Sequence, residues 1–158
     1  MAETSTQRSS ENDLELLEHV KQVFARQKPN SAIYNFLLSD AEVTFASKGI
    51  VKARLQLSKP HVNSRGGIHG AVSATMIDWI GGMAIASFDM RDKTGVSTDI
   101  HITYLSSAKE GEWIGVEGRA NKVGGTLAFT TATIYKLDEQ GRPGAIVSTG
   151  SHSKYVKV

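Results

Sequence analysis

Gly70-Ala-Val-Ser-Ala-Thr-Met-Ile-Asp-Trp-Ile-Gly-Gly-Met-Ala-Ile-Ala-Ser87 is the stretch on which the fold turns. Val72, Met76, Ile77, Ile80, Met83 and Ala84 leave little polar surface apart from Ser73, Thr75 and Asp78, and a helix that is apolar nearly all round belongs inside a protein. Something must surround it. On one side, residues 41–47 and 50–58 flank Lys48-Gly49, a two-residue turn with glycine where positive φ is expected, which predicts a hairpin. In its second strand Val51, Ala53, Leu55 and Leu57 alternate with Lys52, Arg54 and Gln56, the pattern of a sheet with one covered and one wet face. On the other side, after Gly95, four β-rich runs follow at about 96–105, 112–123, 126–137 and 144–157. Turn chemistry such as Ala108-Lys109-Glu110-Gly111 and Glu139-Gln140-Gly141-Arg142-Pro143 separates them. The predicted class is α+β: an antiparallel sheet, its later strands a meander, curled around one long central helix.

The rest of the chain sets the boundaries of that fold. Residues 1–9 are small and polar and predict a disordered arm, while from Ser10 the spacing of Leu14, Leu17, Val20 and Phe24 predicts a helix over about 10–27, ending near Pro29. The 158 residues, 40% of them hydrophobic, suit one domain, here residues 10–158. Eighteen basic residues against sixteen acidic are scattered, so no nucleic-acid footprint forms. The absence of cysteine removes disulfides and thiol nucleophiles. Because Ile68–Phe88 carries Asp78 and five glycines or serines, no stable membrane insertion is expected. Glu3 and Glu11 beside one early arginine make a poor transit peptide, so the cytoplasm is the expected compartment and the mitochondrion the alternative.

Chemistry concentrates where a flexible loop, Asn63-Ser-Arg-Gly-Gly-Ile-His69-Gly70, enters the apolar helix. Backbone N–H groups at a helix start lack intrahelical partners and sit at the positive end of the macrodipole, so they can stabilise an oxyanion; alternatively the glycines only make the turn. Asp78 is a carboxylate on an apolar helix, which is either fully hydrogen-bonded or functional. Nine positions separate it from His69, roughly 13 Å of helix axis, so one chain cannot bring both to one atom. If both act, a two-fold partner must supply one of them. Strand 95–104 alternates, with Ser97, Asp99, His101 and Thr103 on one face and Ile100, Ile102 and Tyr104 on the other. Lys122-Val-Gly-Gly-Thr126 is a glycine turn beside a lysine, readable as a phosphate contact or as an ordinary β-turn. Gly81-Gly82 inside the helix predicts close approach of another backbone or a kink. No GxSxG, P-loop, GxGxxG or HExxH is present, and His61, His69 and His101 form no zinc signature, so neither metal nor cofactor is expected. Acid/base and oxyanion chemistry remain.

Taken together, the ordered motifs Asn63–Gly70, Asp78, Gly95–Tyr104, Lys122–Phe129 and Gly150–Lys154 resemble the hotdog-fold acyl-CoA thioesterases, specifically the phenylacetate-pathway and thioesterase-superfamily-member group, over about residues 35–157. The resemblance implies a hotdog fold in which Asp78 is general base or nucleophile and the Gly70 N–H is the oxyanion donor. It implies that His69 and Asn63 polarise the thioester and that Ser97 holds the water. It places coenzyme A against residues 104–109 and 122–127, among them Tyr104, Ser106, Lys109, Lys122, Val123, Gly124, Gly125 and Thr126, with Lys109, Lys122 and Lys154 on phosphates. It also implies a homo-oligomer, a dimer of dimers. Ala71 departs from the pattern, which has a second glycine there, and an alanine N–H at that position leaves the Gly70 donor in place. Two rival functions stand beside this one: a non-catalytic acyl-CoA binder, and a 3-hydroxyacyl thioester dehydratase working through His69.

Overall fold

In the computed structural model the backbone is described for residues 2–158 and the side chains from Ser10 onward; the arm expected over residues 1–9 falls outside the residues whose side chains are described. The elements are α1 (Ala2–Gln27), α2 (Ala32–Leu37), β1 (Glu42–Ser47), β2 (Ile50–Gln56), α3 (Gly70–Asp89), β3 (Val96–Tyr104), β4 (Trp113–Val123), β5 (Leu127–Leu137) and β6 (Pro143–Tyr155). The hairpin closes through Lys48-Gly49 with Gly49 at φ 74°, a value glycine reaches without strain.

All six strands join one antiparallel sheet in the order β1-β2-β4-β5-β6-β3. Only β4, β5 and β6 run as the expected meander. β3 lies at the far edge beside β6, because α3 carries the chain from β2 across the covered face before β3 begins. The link after β3 then returns along the end of the sheet, with Leu105 N–H donating to Val147 O at 2.9 Å and Gly111 N–H to Leu57 O at 2.7 Å. Those bonds lay the link from β6 back to β2, where β4 takes its place.

α3 is apolar on most sides because it is covered on most sides. Met76, Ile77, Ile80, Met83 and Ile85 are fully buried, each contributing about 1.5–3 kcal/mol of hydrophobic stabilisation. The sheet takes one side and α1 the other, with the rings of Phe24 and Trp79 centred 4.6 Å apart. The buried stripe of α1 is Leu16, Val20, Val23 and Phe24, with Leu17 packed against it; of the expected stripe only Leu14 fails, at 66% exposed. By length and composition α3 could cross a membrane, yet most of it is packed inside the fold. The sheet comes close to the α3 backbone at Gly118, where a Cβ would lie 2.7 Å from the Ile80 carbonyl oxygen. Backbone meets backbone there rather than at Gly81-Gly82, which instead face the side chains of Thr130, His152 and Thr94.

Candidate active site

The first half of the site is the entry to α3. His69 is the N-cap, its Nδ1 accepting the Ala71 N–H at 3.0 Å. That bond leaves Nδ1 unprotonated and presents Nε2 outward. Gly70 is the first helical residue, so its N–H precedes the i→i−4 ladder and is open to an external acceptor. Tyr104 lies over it: the phenol donates to Gly70 O at 3.2 Å, and a Cβ on Gly70 would be 3.3 Å from the ring. Asn63 shapes the loop, its Oδ1 accepting the N–H groups of Arg65 at 2.9 Å and Gly67 at 3.3 Å while Nδ2 donates to Ile68 O at 3.4 Å. The loop is pinned from outside by Ile68 N–H to Ala108 O at 2.7 Å and by a bridge between Gly67 and Lys109. Candidates Asn63, His69, Gly70, Tyr104 and Lys109 thus meet at one place. Ser106 is nearby in sequence, but its hydroxyl donates to Ile146 O at 2.7 Å.

The second half is Asp78, whose side chain is 29% exposed. Ser97 donates to Oδ1 at 3.1 Å and Tyr34 to Oδ2 at 2.5 Å. His152 Nε2 stands 2.9 Å from Ser97 Oγ and 3.6 Å from Oδ1. Since Ser97 gives its proton to Asp78, His152 must donate Nε2–H to Ser97, which fixes its tautomer and leaves the buried Nδ1 unpartnered. Burial first, and then the charge of Lys154, push the His152 pKa down to about 4, against the opposing pull of Asp78 and Asp99. The Lys154 ammonium sits 3.7 Å from Oδ1; burial lowers its pKa and Asp78 opposes the shift. Expected as a phosphate contact, Lys154 is 5% exposed and faces the carboxylate instead.

Ser97 reaches Asp78 because β3 carries a bulge: Ser97 pairs with Lys154, but Asp99 pairs with Ser153. One extra residue flips the alternation, so Ser97 shares the helix-facing side with Tyr104 instead of lining up with Asp99. Alternation over 97–104 therefore fails at its first position. Beside Asp78 opens a cleft of about 540 Å³ between α1, α2 and the start of β3, lined by Arg26, Gln27, Tyr34, Thr94, Ser97 and Lys154 among others.

The Lys122–Thr126 turn is elsewhere. Val123 packs with Ile85, Ala128 and Val156, near the C-terminal end of α3, and Lys122 is exposed. Val123, Gly124, Gly125 and Thr126 therefore do not meet Gly70 within one chain. Tyr34 and His152 are the site residues that motif reading passed over. The Gly150–Lys154 segment had been singled out, but nothing in the pattern pointed to His152, and Tyr34 carried no signal. Among the described residues, no cluster of three His, Cys, Asp or Glu side chains could hold a metal ion.

A long buried helix wrapped by a six-stranded antiparallel sheet is the hotdog architecture, seen also in Escherichia coli PaaI from the phenylacetic acid degradation operon (TM-score 0.71, 14% identity, covering 89% of this chain and 95% of that one). Zebrafish thioesterase superfamily member 2 is similar in sequence as well, with a TM-score of 0.76, 35% identity and coverage of 89% and 97%. Human acyl-coenzyme A thioesterase 13 is 33% identical over 120 residues, 76% of this chain and 82% of its own length. The thioesterase superfamily model matches residues 65–142, and the chain belongs to that family.

Proposed function

We propose that the protein hydrolyses fatty or aromatic acyl-CoA to the free acid and coenzyme A, with Asp78 as the base and the Gly70 N–H as oxyanion donor. The observation that carries this reading is the setting of Asp78: a partly exposed carboxylate on a buried helix, held on both oxygens and facing a cleft. Family membership supplies the reaction class. Water attacks the thioester carbon as Asp78 takes its proton, and the carbonyl oxygen becomes an oxyanion that accepts the Gly70 N–H. The C–S bond then breaks, and the coenzyme A thiolate takes the proton back from Asp78. His69, through Nε2, and the Asn63 amide polarise the carbonyl. Ser97 has a lone pair left for the water. Lys109 and Lys122, both exposed, are the cations proposed for the phosphates, with the 104–109 and 122–127 segments along the rest of coenzyme A.

Two copies of the chain are part of the proposal. Gly70 and Asp78 lie eight residues apart on one helix, too far along the axis to act on one carbonyl, so each Asp78 would work with the helix start of a partner. β3 is a sheet edge carrying Val96 at 59%, Ile100 at 37% and Tyr104 at 56% exposure, and an apolar edge of that kind suits a second copy. A dimer of dimers is the assembly proposed. The test is thiol release from a panel of acyl-CoAs by wild type and Asp78→Asn. Release lost in the variant supports the reading, whereas saturable binding without release by wild type would leave an acyl-CoA binder.

A further inference from the structure

Tyr34 comes from α2, 44 residues before Asp78, yet its phenol donates to Oδ2 at 2.5 Å. Ser97, His152 and Lys154 gather at 3.1, 3.6 and 3.7 Å on or near Oδ1 instead. One carboxylate is thereby divided between two sets of partners. Taking Asp78 as the base, as proposed above, we infer that Tyr34 is a further positioning residue, holding Oδ2 so that Oδ1, beside Ser97, faces the attacking water.

The fold places this phenol deliberately. A helix of six residues is marginal by itself, and α2 is fixed by pins from elsewhere. Ser31 Oγ accepts the Tyr34 N–H at 3.3 Å, His61 Nε2–H donates to Leu37 O at 2.8 Å, and Leu38 is fully buried. Lys28 Nζ adds a bond to Ser39 O at 3.1 Å. Tyr34 therefore has little freedom to leave Asp78. Burial first, and then the charge of Asp78, push its pKa well above the usual tyrosine value, so the phenol stays a donor at every working pH. A short O–H···O⁻ bond is among the strong ones, and it leaves Oδ1 as the oxygen available to take a proton from water.

The groups facing Asp78 come from three elements: Tyr34 from α2, Ser97 from β3, and His152 and Lys154 from β6. Arg26, from α1, lines the same cleft but is paired with Asp92. Removing the phenol deletes a donor to the ionised carboxylate while leaving those charges in place, so the acid limb of kcat/KM should move to higher pH.

Tyr34→Phe is compared with wild type for kcat, KM, pH profile and melting temperature, on an acyl-CoA that wild type hydrolyses. The expected result is a roughly tenfold to hundredfold fall in kcat, with KM within about twofold and the acid limb displaced upward. In the Asp78→Asn background the same change should have no further effect, because Tyr34 acts through Asp78. Replacing Tyr34 by 3-fluorotyrosine at this position alone keeps the side-chain shape and strengthens the donor, which should move the limb downward even if the phenylalanine variant folds poorly. A folded Tyr34→Phe with unchanged kcat and pH profile, or an equal loss in the Asp78→Asn background, overturns the inference while the thioesterase reading stands. If wild type releases no thiol from any acyl-CoA, that reading falls and this one with it.

Discussion

The start of α3 and its middle offer opposite kinds of group. At the start, the proposed working atom is a backbone N–H, Gly70 is shaped by what a Cβ would strike, and the neighbouring loop is held by the Asn63 side chain. In the middle, the proposed working atom is a side-chain oxygen whose partners arrive from α2, β3 and β6. The first depends on room and helix geometry, the second on which residues happen to converge. Each therefore breaks in its own way.

The largest effect expected is from Asp78→Asn, which keeps the shape and removes the base; hydrolysis should fall about a hundredfold to ten-thousandfold, and wild-type rates in the variant would end the comparison. Gly70→Ala comes next. A Cβ there would lie 3.3 Å from the Tyr104 ring, so the ring or the helix start must give by a few tenths of an ångström, and a loss of up to roughly a hundredfold in kcat is expected as the N–H shifts. Adding Tyr104→Ala should restore part of it, and failure to do so would mean that room is not what Gly70 provides. A purely mechanical perturbation follows: Gly118→Ala drives a Cβ to 2.7 Å from Ile80 O and should cost about 1–3 kcal/mol in denaturant unfolding, whereas Gly125→Ala, with open space around it, should be neutral.

The smallest is a pH effect confined to the middle of the helix. Unfolded, His152 takes a proton near 6.5; folded, it takes one only at about 4. The unfolded chain therefore binds more protons between those values, so the stabilisation from a neutral His152 is complete above about 6.5 and is lost as pH falls toward 4. Melting curves at about pH 7 and about pH 5 should show the drop in wild type and a flatter response in His152→Gln. Equal slopes in the two proteins would place the acid sensitivity elsewhere.

Local pattern carried most of the architecture. The period-two alternation of 51–57, the Lys48-Gly49 turn and the uninterrupted apolarity of 70–87 each depend on neighbours in sequence, and the matching elements formed where those signals lay. The position of β3 was not legible, because it follows from how far α3 carries the chain across the sheet. Nor was the bulge between Ser97 and Asp99, which reverses a face that strict alternation assigns. The loop Asn63–Gly70 could be read as a site because one short segment holds its donors. Tyr34 and His152 could not, since their meaning lies in distances to Asp78 across 44 and 74 positions, and Lys154, expected on a phosphate, is buried.

The pairing of the buried Lys154 with Asp78 has an electrical consequence. Lys154 and Asp78 cancel at short range, so the reaction centre presents almost no net field to an approaching polyanion such as coenzyme A. On the proposed mechanism, capture and chemistry are separated: ionic strength should act on encounter through exposed lysines such as Lys109 and Lys122, while the step at Asp78 should depend little on salt.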